Sequence, residues 1–129
     1  MLMQHPLKPL LVALVEDDPR IRQLIEDEIV DEGHSCLCFT SAEAFLEALP
    51  DLSVNLLLLD LMLPGMNGLD CLRALQTIPS PVTRHIAVVT ALNDTEKRDR
   101  ALELGAHDYI LKPDLFERLP ELLRSLHSN

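Results

Sequence analysis

The 129-residue chain has no tryptophan, one tyrosine and three phenylalanines, so aromatic side chains make up only 3% of it. Surfaces that grip single-stranded nucleic acid stack bases on such rings, and here almost none are available. Positive charge is scarce as well: 11 Lys and Arg stand against 21 Asp and Glu, a formal net charge of −10. Attraction to a phosphate backbone or an anionic membrane surface would be opposed by self-repulsion, so this chain by itself is not expected to bind nucleic acid or membranes. Cysteine is sparse. Cys36, Cys38 and Cys71 form an odd set with no CxxC pair and no companion histidines at zinc spacing, a pattern of free thiols in a reducing compartment. No uninterrupted apolar run, such as Leu56–Leu59, approaches the roughly 20 residues of a membrane-spanning helix. The opening MLMQHPLKPL is broken by Pro6 and Pro9 and lacks a small-residue cleavage site, and a cytoplasmic location is the expectation. Neither a Walker lysine loop nor a GxGxxG is present, which removes nucleotide binding. The five histidines, His5, His34, His85, His107 and His127, are scattered and unpaired along the chain, and none is assigned a ligand or phosphocarrier role.

What is present is aliphatic. Hydrophobic residues make up 47% of the sequence, with leucine at 28 positions, enough to build the core of one domain of ordinary size and too much for disorder. Apolar runs of strand length alternate with segments of helical period, the pattern of a parallel sheet covered by helices on both faces. Five strand-helix units are expected, with strands at Leu10–Val15, Ser35–Phe39, Asn55–Leu59, His85–Val89 and Asp108–Leu111. Asp18 and Pro19 read as cap and first helical residue, Thr40 and Glu43 have capping-box spacing, and Asn67 and Asn93 are further caps, the latter with Glu96. Gly33, Pro50, Pro79, Pro81 and Gly105 end helical segments. Pro120 falls inside the last helix and is expected to kink or split it. Residues 1–9 precede the first strand as an extension, and residues 10–129 form the domain.

In an open parallel sheet the functional crevice lies beyond the carboxyl ends of the strands, where the strand order reverses. The polar strand ends are Glu16 and Asp17 on the first strand, Asp60 on the third, Thr90 on the fourth and Lys112 on the fifth. If the first and third strands are neighbours, three carboxylates converge, and their repulsion is resolved by a divalent cation among them. All-oxygen ligation by few carboxylates suits Mg²⁺, which keeps water and shares its shell with phosphate. Carboxylate, cation, ammonium and hydroxyl together make a phosphoryl-transfer site. Asp60 is the preferred nucleophile: it stands alone on a central strand before a Pro/Gly-rich loop, whereas the adjacent pair Glu16 and Asp17 suits a metal. Lys112 and Thr90 would contact phosphoryl oxygens, and Ala91 leaves room for the group.

The fragments VEDDPRIR at 15–22, LLLLDLMLPGMNG at 56–68, VVTA at 88–91 and DYILKP at 108–113, in that order, resemble the receiver domain of bacterial two-component response regulators. The resemblance covers the chain from Leu10 onward. It implies a flavodoxin-like sheet of order 2-1-3-4-5, phosphorylated on aspartate by a histidine kinase or phosphotransfer protein. It places the phosphoacceptor at Asp60, the metal ligands at Glu16, Asp17, Asp60 and the Met62 backbone carbonyl, the hydroxyl at Thr90 and the lysine at Lys112. Tyr109 falls on the aromatic switch, turning inward as Thr90 moves toward phosphate and so altering the face of the fourth helix, fifth strand and fifth helix. It makes Lys112–Pro113 a candidate cis peptide. Met62 and Leu92 are apolar where many relatives carry polar groups that could orient an attacking water, which implies slow self-dephosphorylation.

The expected function is therefore a signalling switch with Mg²⁺ as cofactor, not an enzyme with a separate substrate. An aspartyl-phosphate phosphatase of the haloacid-dehalogenase kind is disfavoured, since Asp60-Leu61-Met62 lacks that class's second acid and follows the third strand, not the first. A non-phosphorylated scaffold is disfavoured because every site residue is present. Only 16 residues follow Pro113, so the output partner is expected in another molecule. Monomer or weak phosphorylation-dependent dimer is the expected state, with Pro120 placing dimerisation through the last helix in doubt. Cys36 and Cys38 share a strand face and read as small apolar residues.

Overall fold

Apolar runs with β-branched and leucine side chains form five strands: β1 (Leu11–Val15), β2 (Ser35–Phe39), β3 (Val54–Leu59), β4 (Thr83–Thr90) and β5 (Asp108–Leu111). In the computed structural model, which describes residues 8–78 and 83–127, they pair in parallel in the order β2-β1-β3-β4-β5. That is the doubly wound order the family resemblance implied. The connecting helices are α1 (Pro19–Asp31), α2 (Ala42–Ala48), α3 (Gly68–Gln76), α4 (Thr95–Glu103) and α5 (Lys112–His127), with a short 3₁₀ turn, Leu49–Asp51, after α2. Most of the expected N-terminal extension, the helix-ending prolines Pro79 and Pro81, and His5 lie outside the described residues.

Alternate strand residues feed two cores, as the two-residue period of a strand requires. Ala13, Val15, Leu57, Leu59 and Val88 pack with Phe45 of α2, Cys71 and Leu72 of α3 and Ala101 of α4. Val12, Leu14, Leu56, Leu58, Ala87 and Val89 pack with Ile25 and Ile29 of α1 and Leu115, Leu119 and Leu123 of α5. Leu56–Leu59 are all fully buried because β3 is central and covered on both sides. Each contributes about 1.5–3 kcal/mol of burial.

The caps differ from expectation by one residue in two places. Asp18 and Asn67 cap α1 and α3 as expected, Asn67 accepting the Asp70 N–H at 2.9 Å. For α2 the cap is Ser41, not Thr40: Ser41 Oγ accepts the Ala44 N–H at 3.1 Å, and Glu43 instead accepts the Met66 N–H. For α4 the cap is Asp94, not Asn93, accepting the Lys97 N–H at 3.1 Å. Two adjacent polar residues competed for each cap, and the helix began at the second. Pro120 does not split the last helix, which runs uninterrupted from Lys112 to His127. The proline forfeits one donor to the Phe116 carbonyl, on an exposed residue, while Leu115, Leu119 and Leu123 anchor both sides of it in the core. The Lys112–Pro113 bond is trans, contrary to the cis candidacy.

Four of the five histidines, unpaired along the chain, meet in space: His34 with His127 edge-on at 4.7 Å, and His85 stacked on His107 at 4.5 Å. His34 is buried, and its Nδ1 accepts the Leu10 N–H at 2.9 Å, tying the entry of β2 to that of β1. Burial first, then the neighbouring His127, lowers its pKa. The folded chain thus binds this proton less tightly than the unfolded chain, so the stability it confers is present above about pH 6.5 and lost as pH falls through the lower folded value. His34→Asn keeps an acceptor and removes the titration. Chemical denaturation at pH 7.5 and 5.5 is expected to show a smaller acid loss in the variant than in the wild type; equal losses would contradict the assignment.

Candidate functional site

β1 lies between β2 and β3, so the chain leaves β1 toward one side for β2 and returns to its other side for β3, and the order reverses at their carboxyl ends. Val15 pairs with Leu59, which sets Glu16 and Asp60 side by side just past the sheet, and the Asp60 N–H donates to the Val15 carbonyl at 3.2 Å. Both carboxylates are buried, Glu16 at 2% and Asp60 at 4% exposure, whereas Asp17 is exposed. One oxygen from each of Glu16, Asp17 and Asp60 lies within 4.8 Å of the others.

Lys112, the first residue after β5, reaches back between the two buried acids, its Nζ 2.8 Å from Glu16 Oε1 and 3.0 Å from Asp60 Oδ2. The remaining oxygens are also held: Asp60 Oδ1 accepts the Met62 N–H at 3.1 Å, and Glu16 Oε2 accepts the Asp18 N–H at 3.1 Å. Burial raises the Glu16 pKa even so, against the lowering effect of Lys112. Burial alone would lower the Lys112 pKa, but its hydrogen bonds to Glu16 and Asp60 outweigh that and hold it above the ordinary lysine value. Three carboxylates against one ammonium leave the cluster short of positive charge, and its donors are all oxygen. That donor set fits a hard divalent cation.

Thr90 is fully buried at the end of β4, with its Oγ1 accepting the Leu92 N–H at 3.2 Å and its hydroxyl proton still available to donate. Tyr109, half-buried on β5, donates its hydroxyl to the Leu92 carbonyl at 2.6 Å, so the loop after Thr90 is held from both sides. Glu16, Asp17, Asp60, Thr90, Tyr109 and Lys112 thus gather at one edge of the sheet; Met62, expected to contribute its backbone carbonyl, has its N–H on Asp60 and a 57% exposed side chain.

A profile of the response regulator receiver domain matches residues 12–124. The chain belongs to that family. It is 38% identical over 121 residues to the transcriptional regulatory protein CpxR of Escherichia coli, covering 90% of this chain and 50% of that protein. It is 38% identical over 122 residues to the transcriptional regulatory protein AruR of Pseudomonas aeruginosa, covering 88% and 49%. The chain therefore spans about half the length of these curated relatives. Among solved structures, the BeF3-activated N-terminal receiver domain of Klebsiella pneumoniae RstA superposes with a TM-score of 0.74 at 30% identity, covering 88% of this chain and 98% of that one.

Three residues shape this receiver site in ways the sequence alone does not assign. Arg22 donates from Nη1 to the Glu16 carbonyl at 2.9 Å and the Asp17 carbonyl at 3.4 Å, locking the acidic turn from inside α1. Glu43 accepts the Met66 N–H at 3.1 Å across from α2, bracing the loop after Asp60. Arg22 ends the VEDDPRIR fragment and Glu43 reads as a capping-box partner of Thr40, but only the fold reveals these contacts. Gly68 is readable in part as the last residue of the PGMNG run. Its N–H donates to the Leu61 carbonyl at 3.0 Å, and a Cβ there would sit 2.6 Å from the Asp60 carbonyl oxygen and 2.7 Å from Leu61 Cα. Gly68→Ala is expected to cost roughly 1–3 kcal/mol in denaturant unfolding, because backbone rather than a flexible side chain must yield. An unchanged midpoint would contradict that close approach.

Proposed function

We propose that this receiver domain is switched by phosphorylation of Asp60. The observation that carries the reading is the buried Asp60 carboxylate at the switch point, gripped by Lys112 beside a second buried acid. An Asp60 oxygen attacks the donor's phosphorus and forms a P–O bond, and the bond to the leaving group breaks with its electron pair departing on the imidazole nitrogen of a phosphohistidine or the acetate oxygen of acetyl phosphate. Lys112 exchanges one carboxylate for a phosphoryl oxygen, and the Thr90 hydroxyl donates to another. Glu16, Asp17, Asp60 and the Met62 carbonyl are the residues that would hold Mg²⁺, which when bound neutralises charge on the phosphoryl oxygens. The donor is a histidine kinase or phosphotransfer protein. Since CpxR and AruR are named transcriptional regulatory proteins, the output is control of transcription through a DNA-binding surface that this acidic domain does not itself supply.

The readout is the α4–β5–α5 face. Tyr109 lines a groove of about 200 Å³ there, with Asp94 and Arg98 of the α4 start and Asp114 and Arg118 of α5. When Thr90 is drawn toward phosphate, the Leu92 loop moves and Tyr109 loses its carbonyl partner and turns inward. With no tryptophan and a single tyrosine, intrinsic emission reports Tyr109 alone. Beryllofluoride is expected to change that emission when Mg²⁺ is present, and neither in chelator nor in Asp60→Asn. A response that survives either control, or no response in the folded protein, overturns the switch.

Met62 and Leu92 line one groove of about 220 Å³ beside the site. Neither side chain offers an acceptor to orient a water toward a phosphoryl group, so self-dephosphorylation is slow. The half-life of the phosphorylated wild type is expected to exceed that of a Met62→Asn, Leu92→Glu double variant by about tenfold or more. Equal half-lives would refute this.

A further inference from the structure

Away from the acidic crevice, α1 and the edge strand β2 bring together three groups that the phosphorylation reading leaves unused. Cys36 and Cys38 stand on the same face of β2, packed against the α1–α5 core, with their Sγ atoms 3.9 Å apart. Glu26 of α1 overhangs them, and one of its carboxylate oxygens lies within 4.8 Å of both sulfurs. All three residues are half-buried, open enough for solvent to reach and fixed on regular elements.

The sulfur separation discriminates between the uses of such a pair. A disulfide needs sulfurs about 2.05 Å apart, and residues two apart on an extended strand have Cα atoms about 6.6 Å apart, at the upper limit of what one spans. Two thiolates in a tetrahedral zinc shell, each about 2.3 Å from the metal, lie about 3.8 Å from each other. The observed 3.9 Å, a thiol–thiol hydrogen-bond distance, also fits the second case without moving the backbone. Burial raises the pKa of both thiols, so ligation of a cation must displace their protons.

We infer that Glu26, Cys36 and Cys38 form a binding site for a thiophilic divalent cation of the Zn²⁺ class, clamping α1 to β2, with water completing the shell. Binding releases the two thiol protons to solvent and forms two metal–sulfur bonds and one metal–oxygen bond, with no change of oxidation state. The mixed sulfur and oxygen donors separate this site from the all-oxygen crevice, which prefers a hard cation.

The test is a Cd²⁺ titration of the reduced 129-residue chain in excess Mg²⁺, followed by the ultraviolet thiolate-to-metal charge-transfer band, which oxygen ligands do not produce. A band saturating at one equivalent and displaced by Zn²⁺ is expected. Cys36→Ser and Cys38→Ser should each weaken binding at least tenfold and diminish the band. Glu26→Gln, on a solvent-accessible helix position and not at risk of unfolding the core, should weaken it about tenfold with the band retained. No band at stoichiometric metal, a band unchanged in both cysteine variants, or unaltered affinity in Glu26→Gln overturns the site. Circular dichroism of each variant ensures that a loss reflects ligation and not unfolding.

Discussion

Asp60→Asn is expected to reduce phosphoryl uptake from acetyl phosphate by at least about a thousandfold, to below detection by intact-protein mass. The amide has nearly the shape of the carboxylate, so an oxygen remains to accept the Met62 N–H that now reaches Oδ1 at 3.1 Å. What disappears is the anionic oxygen beside Lys112, where an amide NH₂ would meet an ammonium donor 3.0 Å away. The lone pair of an amide nitrogen is delocalised into the carbonyl and does not attack phosphorus. The fold has little reason to suffer, because one of two adjacent buried negative charges has been removed. Loss of uptake with native circular dichroism and an unshifted or raised melting midpoint is the expected combination. Uptake at the wild-type rate would place the nucleophile elsewhere.

Lys112→Met is expected to act in the opposite direction on stability. Its ammonium is within 3.0 Å of both Glu16 and Asp60, which are 2% and 4% exposed and would be left facing one another without a cation. Removing one partner from a buried charged group costs about 3–5 kcal/mol, and the partial exposure of Lys112 at the crevice rim reduces that to about 2–4 kcal/mol. For a domain of this size the melting midpoint falls by roughly 10 °C in chelator. Glu16 already has a raised pKa, so the folded state binds its proton more tightly than the unfolded state, and stability is lost as pH rises from about 4.5 through the folded value. Without Lys112 that loss deepens, so the deficit of the variant is greater at pH 7.5 than at pH 5. Mg²⁺ should restore more stability to the variant than it adds to the wild type, while phosphoryl uptake stays depressed. Coincident melts in chelator would show that Lys112 does not hold the acid pair.

Most of the fold was legible because its signals are redundant. Each central strand contains an apolar run (Leu11–Val15, Leu56–Leu59, Ile86–Val89), each run is followed by a helical stripe, and the strand ends carry the polar groups at one edge. Placing Glu16, Asp60, Thr90 and Lys112 together needed only the order of the strands. The misses have local causes. At Thr40–Ser41 and Asn93–Asp94 two good caps are adjacent, and spacing alone does not choose between them. Pro120 looked disruptive because a proline's cost is local, whereas the leucine stripe that offsets it is tertiary. His34 with His127, and His85 with His107, meet only through the fold. So do Arg22 with the acidic turn and Glu43 with the loop after Asp60: Arg22 ends the VEDDPRIR fragment and Glu43 reads as a capping-box residue, but neither role is legible from spacing.

The central claim is that Asp60 accepts the phosphoryl group. Its most direct test is the intact mass of the wild-type chain after incubation with acetyl phosphate and Mg²⁺, followed by borohydride reduction and peptide mapping of the modified carboxyl. A gain of one phosphoryl group that requires Mg²⁺ is expected, with the reduced residue mapped to position 60. Modification at any other carboxyl, or no gain by a folded chain from either acetyl phosphate or a phosphorylated histidine donor, would contradict it.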